Sequence, residues 1–303
     1  MKGIGKVEGG NKQQPLQEID IQNKWMLVKN FEQGKGSLTS VAVDATRGII
    51  VVASGSENCI RVYSMDGNQL QQFGSNGTAD GQFKYPCGVA VDSTTGNIIV
   101  ADYGNHRIQI FSQHGKFITK FGQKGNGNDQ FNNPYGVSVD GTNRNILISD
   151  SENHCIKIFS SDGKFIQKIG TGQSGAADGQ LNYPIHAMVH PITQQIIVSE
   201  WENHRVSVFG KDGTFIFKFG KNGNGNGEFN CPWGMAVDPA NGNIFVADCD
   251  NHRVQVFASD GTFLKVLNAG PFQSPSSVAL NSQQGQILVA EDDGKKFSLF
   301  VNE

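Results

Sequence analysis

The sequence contains no run of about 18 apolar residues, the length a membrane-crossing helix requires, and its opening Met1-Lys-Gly-Ile-Gly-Lys-Val-Glu-Gly-Gly lacks the apolar core of a secretory signal. Both absences point away from export and from the membrane. Cysteine is scarce: there are five, an odd number with no C-x-x-C pair, the usage of reduced thiols in a cytoplasmic protein. Charge is sparse at 17% and nearly balanced, with a net of −3. A helical period is absent throughout, so the apolar residues must be placed by another rule.

That rule is a repeat of about 48 residues. One copy reads Pro86-Cys-Gly-Val-Ala-Val-Asp92, Gly96-Asn-Ile-Ile-Val-Ala-Asp102, Asn105-His-Arg-Ile-Gln-Ile-Phe111 and Gly115-Lys-Phe-Ile-Thr-Lys-Phe-Gly122. The Asp92 position recurs at Asp44, Asp140, His190, Asp238 and Asn281, which makes six copies. Each holds four runs of alternating Val, Ile and Phe separated by glycine-bearing turns, the pattern of strands. Asp66-Gly67, Asp162-Gly163, Asp212-Gly213 and Asp260-Gly261 fall between the third and fourth runs, where glycine suits the positive φ of a hairpin. Four-stranded meanders joined by longer loops predict an all-β, six-bladed β-propeller of antiparallel blades. The WD type is excluded because none of Trp25, Trp201 and Trp233 is followed by Asp.

The sixth copy supplies runs around Val278, Ile287 and Phe297 but ends before a fourth. The orphan segment Lys24-Trp-Met-Leu-Val-Lys-Asn-Phe31 resembles the fourth run Phe117–Phe121. It is therefore expected to complete the last blade and close the ring. That leaves 1–23 as a flexible N-terminal extension and 24–303 as one domain.

At Asn105-His106-Arg107, Asn203-His204-Arg205 and Asn251-His252-Arg253, with the variant Asn153-His154-Cys155, the chain resembles the NHL-repeat family. The first and sixth copies depart, with Glu57-Asn58-Cys59 and Gly294-Lys295-Lys296 in the motif's place. The resemblance implies a propeller of the kind that ends tripartite-motif (TRIM-NHL) ubiquitin ligases, mostly non-enzymatic recognition domains, some of which bind RNA. No RING or B-box zinc pattern occurs in this sequence. A divergent branch, the peptide-amidating lyase, is implied to hold zinc by histidines placed just after the blade-opening prolines. Here those positions are Cys87, Tyr135, Ile185, Trp233 and Ser276. The expectation is accordingly no enzyme, no catalytic residue, no metal and no cofactor. Motif histidines such as His106 recur once per blade, so symmetry keeps them apart rather than gathered around one ion.

In such a meander the loops after the second and fourth strands share one face, and loops on a rigid frame are the usual binding elements. The copies differ there. Tyr135 and Trp233 follow a proline, Tyr103 and Trp201 follow an Asp102-like position, and His186 replaces a repeated glycine. Large rings on a constant frame suit recognition, so Tyr103, Tyr135, His186, Trp201 and Trp233 are the candidate ligand-binding residues. The other reading has these rings plugging the channel mouth. Acids Glu152, Glu200, Glu202, Asp250, Asp292 and Asp293 outnumber bases such as Lys84, Lys124 and Lys221 on this lip. That favours a protein or peptide partner over single-stranded RNA, whose phosphates require clustered cations. A monomer is expected.

Overall fold

The computed structural model describes residues 25–32, 36–267, 269, 272–293 and 296–302. Six four-stranded antiparallel sheets are present, so the predicted propeller is the architecture observed. In blade two the strands are Pro86–Val91, Ile98–Asp102, Arg107–Phe111 and Phe117–Phe121, and blades one, three, four and five repeat this order. The first strands line a central channel. Fourth strands form the rim, where Leu70, Ile118, Ile166, Ile216 and Leu264 are exposed.

Blade six closes the ring as the orphan segment predicts. Its strands Pro275–Asn281, Gln286–Glu291 and Lys296–Asn302 are completed by Trp25–Glu32, which pairs antiparallel from Trp25↔Asn302 to Glu32↔Lys296. Packing fixes the register. Phe31 stacks on Phe297 at 4.3 Å between ring centroids and lies beneath Gly67, where an added Cβ would come 1.7 Å from the ring. Phe73, Phe121 and Phe219 meet Gly115, Gly163 and Gly261 in the same way. The last phenylalanine of each of these fourth strands thus sits under the next blade's turn. The expected extension at 1–23 lies outside the described residues.

Those turns are three-residue loops rather than two-residue ones. Gly67 N–H donates to Ser64 O at 2.8 Å, Ser64 N–H donates to Asn68 O at 2.9 Å, and the strand register slips at Val62/Tyr63. Only the glycine takes positive φ, 81° at Gly67, as in a type I turn closed by a bulge. Between blades, Phe83, Phe111, Phe131, Phe159, Phe229 and Phe257 are fully buried, and clusters such as Ala90, Ile108, Val137, Ile148 and Phe159 span two neighbouring sheets. Each blade therefore has its apolar faces covered only when both neighbours are in place.

Closure by the N-terminal strand yields a test. Phe31→Ala should lower unfolding free energy by about 3–5 kcal/mol, the range for truncating a buried phenylalanine. Leu27→Ala on the exposed side of the same strand should change it by about 0.5 kcal/mol or less. Chemical denaturation of both variants checks this, and equal losses would place the strand's packing elsewhere.

Candidate functional site

The Asn-His-Arg motif explains how the loop face is held. In blade two the second strand ends at Asp102, Tyr103–Asn105 form a single 3-10 turn, and His106 takes a left-handed conformation with φ 53° before Arg107 begins the third strand. Asp102 is wholly buried. It accepts hydrogen bonds from Lys84 N at 2.8 Å, Asn105 Nδ2 at 2.9 Å and Arg107 Nε at 2.7 Å. The remaining guanidinium donors reach the carbonyls of Thr78, Ala79 and Gln82 in the preceding inter-blade loop. One carboxylate and one cation thus tie both loops of the blade together, and the multiple donors satisfy charges that burial would otherwise penalise.

The motif histidine works between blades. His106 Nδ1 accepts from the backbone N–H of Asn133 at 3.1 Å. His154, His204 and His252 bond in the same way to Tyr183, Cys231 and Ser274. Each acceptor serves the residue just before a blade-opening proline, and those residues have positive φ: Asn133 57°, Tyr183 50°, Cys231 58° and Ser274 49°. Non-glycine residues in that region are strained, and the histidine bond offsets part of that strain. Glu200, read from sequence as a lip acid, is buried instead, and so is Glu291. They replace Asp102 in their blades and pair with Arg205 at 2.7 Å and Lys296 at 3.6 Å.

On this frame the candidate rings fall into two groups. Tyr135 and Trp233 come from blades three and five, yet their centroids are 5.8 Å apart, so they meet across the channel and close it. With Thr39, Ile185 and Ser276 they surround a void of about 20 Å³, room for roughly one water. Burial pushes the Tyr135 hydroxyl well up from its usual range. Above this plug runs an arc of rings: Tyr103 lies 5.9 Å from Tyr135 and 6.2 Å from Tyr85, and Tyr183 lies 5.4 Å from Trp201. Burial raises the Tyr183 hydroxyl above its ordinary value, and the neighbouring Tyr103 and Glu152 raise it further. Tyr103 and Glu152 are therefore neighbours of Tyr183.

Tyr85 and Tyr183 were missed in the sequence. Both precede a blade-opening proline, a third variable position beside the two that were compared. Acids stand beside the arc. Glu152 Oε1 accepts from Tyr183 Oη at 3.4 Å, and Ser37 links Tyr85 to Asp292. All five cysteines are free and buried. Burial pushes Cys155 and Cys231 up to about 12, so these thiols stay protonated and unreactive at neutral pH.

His186 takes the place of Gly88, Gly136 and Gly234 in the first strand of blade four. At those glycines an added Cβ would come within 2.2–2.7 Å of the neighbouring blade's backbone, whereas His186 directs its ring along the channel wall, with Nδ1 accepting from Met235 N at 3.2 Å. Burial lowers it to about 4, so it is neutral at physiological pH. The plug lies on one side of it and a wider cavity on the other. No three or more His, Cys, Asp or Glu gather as a metal site among the described residues.

Residues 83–111, 131–159 and 229–257 match the model of the NHL repeat. Each match runs from a buried inter-blade phenylalanine, through the blade-opening proline and the motif, to the third-strand phenylalanine. The chain therefore carries NHL repeats on a six-bladed propeller. No curated protein matches it. Among solved structures it is similar to a streptogramin B lyase, with TM-score 0.66 and 13% identity over 93% of this chain and 99% of the other. It is also similar to a gluconolactonase, XC5397 from Xanthomonas campestris, with TM-score 0.70 and 15% identity over 100% and 99%. A protein of unknown function from Bacteroides thetaiotaomicron gives TM-score 0.65 and 14% identity over 93% and 74%. Likeness at such identity shows the fold alone. It nevertheless corrects the expectation that the chain is no enzyme: two of these propellers are enzymes, and the missing post-proline histidines speak only against one lyase mechanism.

Two measurements follow. Asp102→Ala strands Arg107 and should cost about 3–5 kcal/mol, whereas replacing both by apolar residues should cost less; a double-mutant cycle in denaturant decides. The second concerns pH. His106, His186 and His190 are each lowered, burial being the largest cause, so below the free value of about 6.5 the unfolded chain binds more protons than the folded one and stability falls. For His186 the loss should span pH 6.5 to about 4 and approach about 3 kcal/mol. Asp150 and Asp248, raised chiefly by burial, act in the opposite sense. The contribution is therefore read as the difference in acid slope between the wild type and His186→Gln, and identical slopes would refute it.

Proposed function

We propose that the loop face binds a protein or peptide segment, with Tyr85, Tyr103, Tyr183 and Trp201 as the contact surface and Tyr135 and Trp233 as its floor. The observation that supports this reading most directly is the arc itself: rings from blades two to four lie side by side on loops that the buried ion pairs hold rigid. Aromatic side chains on a preordered backbone provide large contact areas at little entropic cost. The acids beside the rings, Glu152, Glu202, Asp250 and Asp292, favour a partner with Lys or Arg, whose cations also sit well on aromatic faces. Against RNA stands the shortage of cations: Lys84 is exposed, but Lys221 is paired with Glu228 at 3.1 Å, and phosphate contact needs several. Tripartite-motif-like RNA binding or ligase substrate recognition is thus the second reading, supported by the repeat alone.

Selection from a random peptide display library against the immobilised protein tests the proposal. Selected peptides should be rich in Lys and Arg, and binding should weaken by about thirtyfold, or about 2 kcal/mol, on Tyr103→Ala or Trp201→Ala. Thermal unfolding of those variants should change much less than that of Phe159→Ala. Random single-stranded RNA that binds more tightly than any selected peptide, with a steep salt dependence, would overturn the proposal in favour of the second reading.

A further inference from the structure

The channel that the Tyr135–Trp233 plug closes on the loop face is open toward the other face. There the turns between first and second strands surround a cavity of about 420 Å³. Its width has a local cause. Two residues beyond the level of His186, the first strands carry Ala42, Ala90, Ser138, Met188, Ala236 and Ala279, and five of these six side chains are small. The post-proline level, by contrast, carries Tyr135 and Trp233. The same backbone ring is therefore filled at one level and empty at the next.

The wall is chemically selective. Among the described residues, no Asp, Glu, Lys or Arg lines it. Of its polar groups, Ser138 Oγ donates to Ala187 O at 2.7 Å and Ser40 Oγ accepts from Val89 N at 3.4 Å, while Ser277, Ser282 and Gln283 also lie along the wall. His186 differs. Because Nδ1 accepts from the Met235 amide, the neutral ring carries its proton on Nε2. That N–H has no acceptor among the described residues, yet it is not among the buried polar atoms without a partner, so it is open to the channel space.

We propose that this cavity is a binding site for an uncharged, largely apolar small molecule bearing one hydrogen-bond acceptor, such as a carbonyl oxygen, which receives the Nε2–H of His186. The volume lies within the range of about 300–1,000 Å³ usual for small-molecule pockets. A charged ligand would lose its hydration against a wall with no counter-charge, which is costly. A purely apolar ligand would leave the histidine donor unsatisfied, which is also unfavourable. The two constraints together select a neutral molecule with an acceptor at its inner end. The site is separate from the loop-face arc, because the plug stands between them.

The test uses 6-propionyl-2-(dimethylamino)naphthalene, a neutral fluorophore with one ketone, and 1-anilinonaphthalene-8-sulfonate as its anionic counterpart, with the full chain. The neutral probe should bind one to one with blue-shifted emission, and the anion should not. Ala236→Trp, which fills the channel, should abolish binding; Ala90→Phe serves the same purpose if the first variant fails to fold. His186→Leu should weaken binding by about two- to tenfold, the value of one hydrogen bond, and His186→Gln, which keeps a donor, should weaken it less. Trp201→Ala should leave it unchanged, so that failure here and failure of the loop-face reading are separable. Absence of neutral-probe binding at its solubility limit, unchanged binding in a folded channel-filled variant, or equal binding of the anion would each overturn the proposal.

Discussion

The structure depends on one carboxylate in each of blades two to six, buried under the turn that follows the second strand. Asp102, Asp150, Glu200, Asp248 and Glu291 each accept the backbone N–H of the residue two places before a blade-opening proline, at 2.7–3.0 Å. That single bond sets where the inner strand of the same blade begins. A buried charge of this kind is unfavourable unless it is paired and fully hydrogen-bonded, and the Asn and Arg of the motif supply the pairing. The motif is thus the set of donors that a buried carboxylate demands, and its histidine extends the same constraint to the following blade.

Blades that lack the motif arginine keep the constraint by another route. In blade three Cys155 stands in its place, and Lys157, two residues on, reaches Asp150 at 2.8 Å and the carbonyl of Gly127 at 2.6 Å. The lysine is almost entirely buried, which only this set of partners makes tolerable. In blade one Ser54 replaces the acid and Cys59 the arginine, while Glu57 and Arg61 form the ion pair from shifted positions. His190 offers a parallel case on the opposite face. Its Nδ1 accepts the amides of Ile192 and Thr193, the bonds that Asp92 Oδ1 accepts from Thr94 and Thr95. What is repeated is a bonding pattern, and several residue types satisfy it.

This explains what could be read in advance. Blade number, strand order and closure by Trp25–Glu32 were legible because apolar alternation and turn glycines repeat at a fixed period, and Phe31 needed only the Gly67 turn to fix its register. Lys157 and the Glu57–Arg61 pair were not legible as compensations, since a linear comparison sees only a missing motif arginine. Glu200 looked like a lip acid because its position ends the second strand; burial by the loop above it is a tertiary fact. Tyr135 and Trp233 were identified as rings on the loop side, but that they touch depends on the channel diameter, which no spacing in the sequence states.

A channel of fixed diameter also limits what such a chain can evolve independently. The carboxylate network occupies the loops and the phenylalanine clusters occupy the space between blades, while Ala90, Ala236 and Ala279 serve both an inter-blade cluster and the channel wall. Six side chains at one level can block the channel, as Tyr135 and Trp233 do. Six at another level can leave it open, as the alanines do. His186 sits between these levels with one nitrogen committed to the frame and the other free for chemistry or binding.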